Sequence, residues 1–239
     1  MGSMKKLIYR RCVIFAGIIV LSVIYACTAR AGYLPSNMNK YTNVEQLKGT
    51  DVCVGDMVYD SNLMGCEEIG MTAEQQMQLY FDAFDSFECC FIVRGTGNIE
   101  FSYFATFQEM EIIEVIRGEG TAGEKAKCIF QAGRLETRDN GVYLMTYGVN
   151  LMQKGKEYLL FCDTCDMTNY SKEAYYLSES GICYFALDND NIATVNSNHP
   201  QYAGDYATCE FYMQSEQGVE TAKAFKERVM ECYLPDRYR

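Results

Sequence analysis

The first 31 residues set the terms for everything after them. Lys5, Lys6, Arg10 and Arg11 form a positive cluster, Cys12 to Ala26 is an uninterrupted run of mainly apolar residues, and Ala29-Arg30-Ala31 then offers a small-residue A-x-A site followed by Gly32. Such a segment is an apolar plug held in a membrane by its positive, cytoplasmic end, so the chain that follows is delivered to the far side. Residues 1–31 are therefore excluded from the folded body and read as a signal peptide or an N-terminal anchor.

Three fates follow from the same residues. Cleavage between Ala31 and Gly32 is the leading expectation, because small residues flank that bond. Retention as an anchor is the second, since Cys12 to Ala29 approaches the ~20 residues that cross a bilayer. Lipidation of Cys27 is the third: Ile24-Tyr25-Ala26-Cys27 has the outline of a lipobox, with Tyr25 bulkier than the small residue usual there. Each fate leaves the body secreted, or held on the outer side of the cytoplasmic membrane by this segment alone.

The cysteines fit that compartment. The body carries Cys53, Cys66, Cys89, Cys90, Cys128, Cys162, Cys165, Cys183, Cys209 and Cys232, an even set of candidates for disulfides in an oxidising environment. Spacing alone does not give the pairing. Cys53 and Cys66 bound the shortest loop, and Cys89 and Cys90, adjacent on a strand, point to opposite faces and need different partners. Cys162-Asp163-Thr164-Cys165 has the spacing of a redox dithiol, but Asp163 and Asp166 oppose a thiolate. A zinc site would want a second ligand pair at similar spacing, and the sequence offers none.

Charge narrows the partners. All five basic residues before residue 32 lie in the export segment, leaving 16 of the 21 Lys and Arg against all 32 Asp and Glu in the body. A body this acidic repels phosphate backbones and anionic lipid, which argues against nucleic acid and leaves the N-terminal segment as the route to a membrane. The single histidine, His199, lies in an Asn-rich loop before Pro200, tied to no nucleophile by any motif. No cofactor is implied.

Periodicity sketches a β-rich body behind a turn-rich extension at 32–70. Met77, Tyr80, Phe81, Phe84 and Phe87 recur at helical spacing after Thr72, a cap with Gln75 three residues on, predicting a helix over about 72–87. Strands are expected at 89–95, 101–117, 125–131, 142–147, 157–161, 175–177, 182–187 and 192–195. Asp188-Asn189-Asp190-Asn191 reads as a hairpin turn; a calcium loop would need a third Asp or Asn where Ile192 stands. Val219, Ala222, Phe225, Val229 and Cys232 define the apolar face of a last helix over about 216–233, with Lys226 assigned to its polar side and Cys232 expected to hold it to the body.

Three segments carry a resemblance. Ile92-Val93-Arg94-Gly95, then Ile112-Ile113-Glu114-Val115-Ile116-Arg117-Gly118, then Gly155-Lys156-Glu157-Tyr158-Leu159-Leu160-Phe161 run in the order seen in exported bacterial proteins with a tissue-inhibitor-of-metalloprotease-like (netrin-like) OB-barrel domain. The resemblance covers about residues 88–195. It implies a closed barrel of five to six strands with flanking helices, forming a domain over 71–239. The animal inhibitors of that fold bind a protease zinc through an N-terminal Cys, and no cysteine here matches it, so inhibition is not carried over.

Function classes follow. The leading one is an exported, non-catalytic module binding a protein or glycan, with Tyr143, Tyr147, Tyr158 and Tyr175 as candidate contacts. The alternatives are an extracytoplasmic thiol-disulfide oxidoreductase using Cys162 and Cys165, and a membrane-tethered sensor domain.

Overall fold

In the computed structural model the described residues are 40–54, 73–102, 105–130, 134–138, 141–145, 148–165, 174–177, 182–188, 190–195, 201–213 and 215–238, with five positions in 19–25. The chain divides into two units, Met1–Met38 and Asn39–Arg239. In the first, Ile19, Val20, Ser22, Val23 and Tyr25 are helical and exposed. No helix among the described residues is long and apolar enough to cross a membrane. Cys27, Ala31, Gly32, Cys66, Thr72, Tyr147 and His199 lie outside the described residues.

The second unit is mainly β. Among the described residues a short strand β1 (Val52–Val54) precedes helix α1 (Ala73–Ser86), and ten strands follow before helix α2 (Glu216–Tyr233). They are β2 (Cys89–Phe101), β3 (Thr106–Arg117), β4 (Lys125–Phe130), β5 (Arg134–Arg138), β6 (Gly141–Met145), β7 (Glu157–Thr164), β8 (Ala174–Tyr176), β9 (Tyr184–Ala186), β10 (Ile192–Thr194) and β11 (Phe211–Met213). The main sheet has the order β2-β3-β4-β8-β7-β9, and a further pairing of β2 with β7 closes it into a ring. That closing seam is antiparallel and unbroken from Cys89↔Cys162 to Arg94↔Glu157.

Alternation along the seam fills two layers at once. Tyr158 meets Tyr184 edge-on at 5.8 Å, Phe130 meets Tyr184 at 6.1 Å and Phe91 meets Tyr175 at 5.1 Å on one face. On the other, Phe161 and Phe185 pack beneath the helices: Phe84 of α1 lies 4.4 Å from Phe161 and 5.7 Å from Phe225 of α2. With one face of β7 turned inward and the other under helices, Leu159 and Leu160 are both wholly buried, as their positions predict.

Both helices fall within a residue of their expected bounds, and Val219, Ala222, Phe225 and Val229 are buried on α2. Several expectations are corrected. Cys232 is exposed and holds nothing. The strand expected to end at Gly95 continues to Phe101 across a register shift between Gly95 and Ile99. Phe101 therefore belongs to β2; the hairpin turns at Ser102, whose N–H donates to the Ala105 carbonyl at 2.8 Å, so β3 starts at Thr106. The segment Asp188–Asn191 is not a hairpin turn, because β10 pairs in parallel with β11 and not with β9. A separate sheet, β1-β6-β5, contains a strand, Arg134–Arg138, that the sequence reading missed.

Candidate functional site

Two places bring reactive or charged side chains together. One is the end of the seam. Cys89 opens β2 directly opposite Cys162 on β7, and the two thiols hydrogen-bond to each other. Cys89 Sγ also lies 3.9 Å from the Glu119 carbonyl, which accepts from the Tyr175 hydroxyl at 3.1 Å. The bond from Cys162 holds the Cys89 thiol down at about 7, against the effect of burial, while burial pushes Cys162 well up. The spacing of Cys162 and Cys165 suggested a dithiol, but three residues along an extended strand put them on opposite faces. Cys165 packs instead on Ala105, Phe107, Ile129 and Ala174.

Of the other cysteines, Cys128 is close enough to Cys162 and Cys183 for their charges to interact. Cys90 faces away from Cys89, as adjacency requires, and burial raises it to about 12. Cys128 is buried opposite Gln108 and is likewise held at about 12. Cys53 lies in β1, Cys183 precedes β9, and the Cys209 carbonyl accepts from Asn150 Nδ2 at 2.7 Å. All nine described body cysteines are free thiols in this structure. Strand register, not an even count, decides which thiols meet.

The second place is a groove beside α2. A cavity of about 420 Å³ is lined by Leu187, Ile192, Met230 and Leu234, with Lys223 and Lys226 among them and Asp190, Glu227 and Glu231 also on its walls. Beneath it lies an ion pair that the sequence reading did not find. Lys226 Nζ is 2.7 Å from Glu210 Oε2 and 3.0 Å from Asp190 Oδ1, and Glu210 Oε1 accepts the Ala186 N–H at 2.6 Å. The Glu210 side chain is 2% exposed and that of Lys226 7%. Burial drives the Glu210 carboxyl up to about 7, and Lys226 pulls it back. The signal was present: Lys226 stands four residues after Ala222 and three before Val229, on the buried stripe, and only its charge assigned it to the solvent.

The tyrosine contacts divide. Tyr158 is buried with its hydroxyl accepting the Gln153 N–H at 2.7 Å, so it is a core residue. Tyr175 is half-buried on Phe91, and Tyr143 is half-buried on β6. Among the described residues no group of three or more His, Cys, Asp or Glu is placed to hold a metal ion. No protein-family model matches the chain, and no curated protein matches it in sequence.

Proposed function

We propose that the chain is an exported, non-catalytic binding module of the tissue-inhibitor-of-metalloprotease-like OB-barrel kind, and that it takes a protein segment in the groove beside α2. The observation that carries this reading is the placement of its three motifs. Ile92–Gly95, Ile112–Arg117 and Glu157–Phe161 fall on β2, β3 and β7, neighbours around the ring, and Arg94 ties them together through Glu111 at 3.4 Å and Glu157 at 2.7 Å. Aromatic side chains pack one face of this sheet, so contact with a partner falls to the outer surfaces. The groove supplies apolar walls with Lys223 and the carboxylates of Glu227 and Glu231 among them, the mixture that suits a peptide side chain and its backbone.

The test has two arms. Exchanging Lys5, Lys6, Arg10 and Arg11 for Ser should leave the body in the cytoplasmic fraction, because the orienting charge is lost; undiminished export would overturn that half. Selection of displayed random peptides on the folded body should enrich sequences whose binding is lost in Met230→Glu but kept in Tyr143→Ala. Enriched peptides indifferent to Met230→Glu would remove the groove from the reading.

A further inference from the structure

We infer that Cys89 and Cys162 are the sites of a cross-strand disulfide that locks the closing seam of the ring. They face each other as the last register pair of β2 and β7. The Gly95 N–H donates to the Lys156 carbonyl at 2.9 Å, and alternation from that pair makes Cys89 and Cys162 a hydrogen-bonded pair as well. Such a pair holds its Cα atoms ~5.5 Å apart, within the span that a disulfide bridges. The two thiols act on each other across the seam, and neither side chain is exposed.

The surroundings are shaped for this pair. Gly118, at φ +89°, lies against the Cys89 thiol: a Cβ there would come within 2.6 Å of both Cys89 Sγ and the Glu88 carbonyl. Just beyond the pair, the Glu88 N–H donates to Asp163 Oδ1 and the Thr164 N–H to Glu88 Oε2, each at 3.0 Å. These reciprocal bonds hold the two cysteines in register. The described alternatives are poorer: Cys90 turns to the other face, Cys165 is committed to a separate cluster, and Cys128, though near Cys162, stands in register with Gln108 on another strand pair.

The chemistry is thiol–disulfide exchange with a donor disulfide, for which oxidised glutathione serves as the probe. The Cys89 thiolate, favoured by the hydrogen bond from Cys162, attacks one donor sulfur and the other leaves as a thiolate. Cys162 then gives up its proton, attacks Cys89 Sγ and expels the second donor thiolate. The protein loses two electrons and two protons, and the donor disulfide becomes two thiols. Because both sulfurs are buried, the exchange belongs to folding or to fraying of the seam at its Cys89 end.

The experiment needs no exporting cell, so its outcome is separate from the export reading. Full-length reduced chain is unfolded, returned to mild detergent in a glutathione redox buffer, cut after glutamate and weighed without reduction. Fragment 89–100 should be joined to fragment 158–173. Fragmentation of the wild-type conjugate should place the link on Cys89 and Cys162 rather than on Cys90 and Cys165. The link should survive Cys90→Ser and Cys165→Ser and vanish in Cys89→Ser and in Cys162→Ser. Reduction should lower the melting temperature of the wild type by about 10 °C. Both thiols free in the refolded wild type, or a link from Cys89 or Cys162 to any other cysteine, Cys128 included, would overturn the pairing. A bond whose reduction leaves the melting temperature unmoved would overturn its locking role.

Discussion

The seam between β2 and β7 and the corner beneath α2 are both shut off from solvent, but they are held by different forces. At the seam, Phe91, Val93, Leu159, Leu160 and Phe161 are all wholly buried, and each removes apolar surface from water. Under α2, Phe225 and Val229 do the same beside a buried carboxylate and ammonium that have given up their hydration. The Glu210–Lys226 attraction must first offset that desolvation, so the pair adds little net stability while making the loss of either partner costly. Burial at the seam is cumulative; burial at the corner is conditional on both charges being present.

The largest effect should fall at the seam. Leu160 lies between Phe91 on β2 and Tyr184 on β9 in the ladder and is wholly buried, so Leu160→Ala should cost about 4 kcal/mol in a denaturant melt. That is a large share of a typical domain's stability. A loss below about 1 kcal/mol would mean that the seam relaxes around the cavity and the comparison fails.

The corner should show its conditional character. Lys226→Ala leaves Glu210 buried without its cation and should cost roughly 3 kcal/mol, whereas Lys226→Met combined with Glu210→Leu should stay within about 1 kcal/mol of the wild type. Additive losses in that double variant would show that the charges, and not their mutual dependence, stabilise the corner.

Protonation sharpens the contrast. Burial raises the folded-state pKa of Glu210 from 4.5 to about 7, so the fold binds a proton there that the unfolded chain releases first. Its contribution is fully present below about pH 4.5 and is lost as pH rises through about 7. Melting curves at pH 4.5 and 7.5 should therefore show the wild type losing stability relative to Glu210→Gln across that window. Parallel behaviour of the two proteins would remove Glu210 as the titrating group.

The same contrast governs what a reader of the sequence can see. The seam was legible because Tyr158 to Cys162 is continuous and apolar, and α2 because its apolar residues recur at 3.6-residue spacing. Glu210 was not, since a lone glutamate before a three-residue strand carries no sign of a lysine sixteen residues on. Arg134-Leu135-Glu136-Thr137-Arg138 escaped notice because a strand with alternate charged positions and one buried leucine looks like a loop. The Cys89–Cys162 contact lay beyond local pattern altogether, as it exists only once β2 and β7 are in register.

The smallest effect is the control for the largest. Lys156 stands four residues before Leu160, in the turn leading into β7, and its ammonium pairs with Asp188 at 2.5 Å. Their side chains are 45% and 57% exposed, so water and salt screen the attraction and holding both chains in place costs conformational freedom. The Lys156 backbone carbonyl, which accepts the Gly95 N–H at the start of the seam, is untouched by a change of side chain. Lys156→Ala should therefore cost no more than about 0.5 kcal/mol in the same melt, and less still at high salt. A loss comparable to that of Leu160→Ala would mean that the turn, rather than the buried ladder behind it, holds the ring closed.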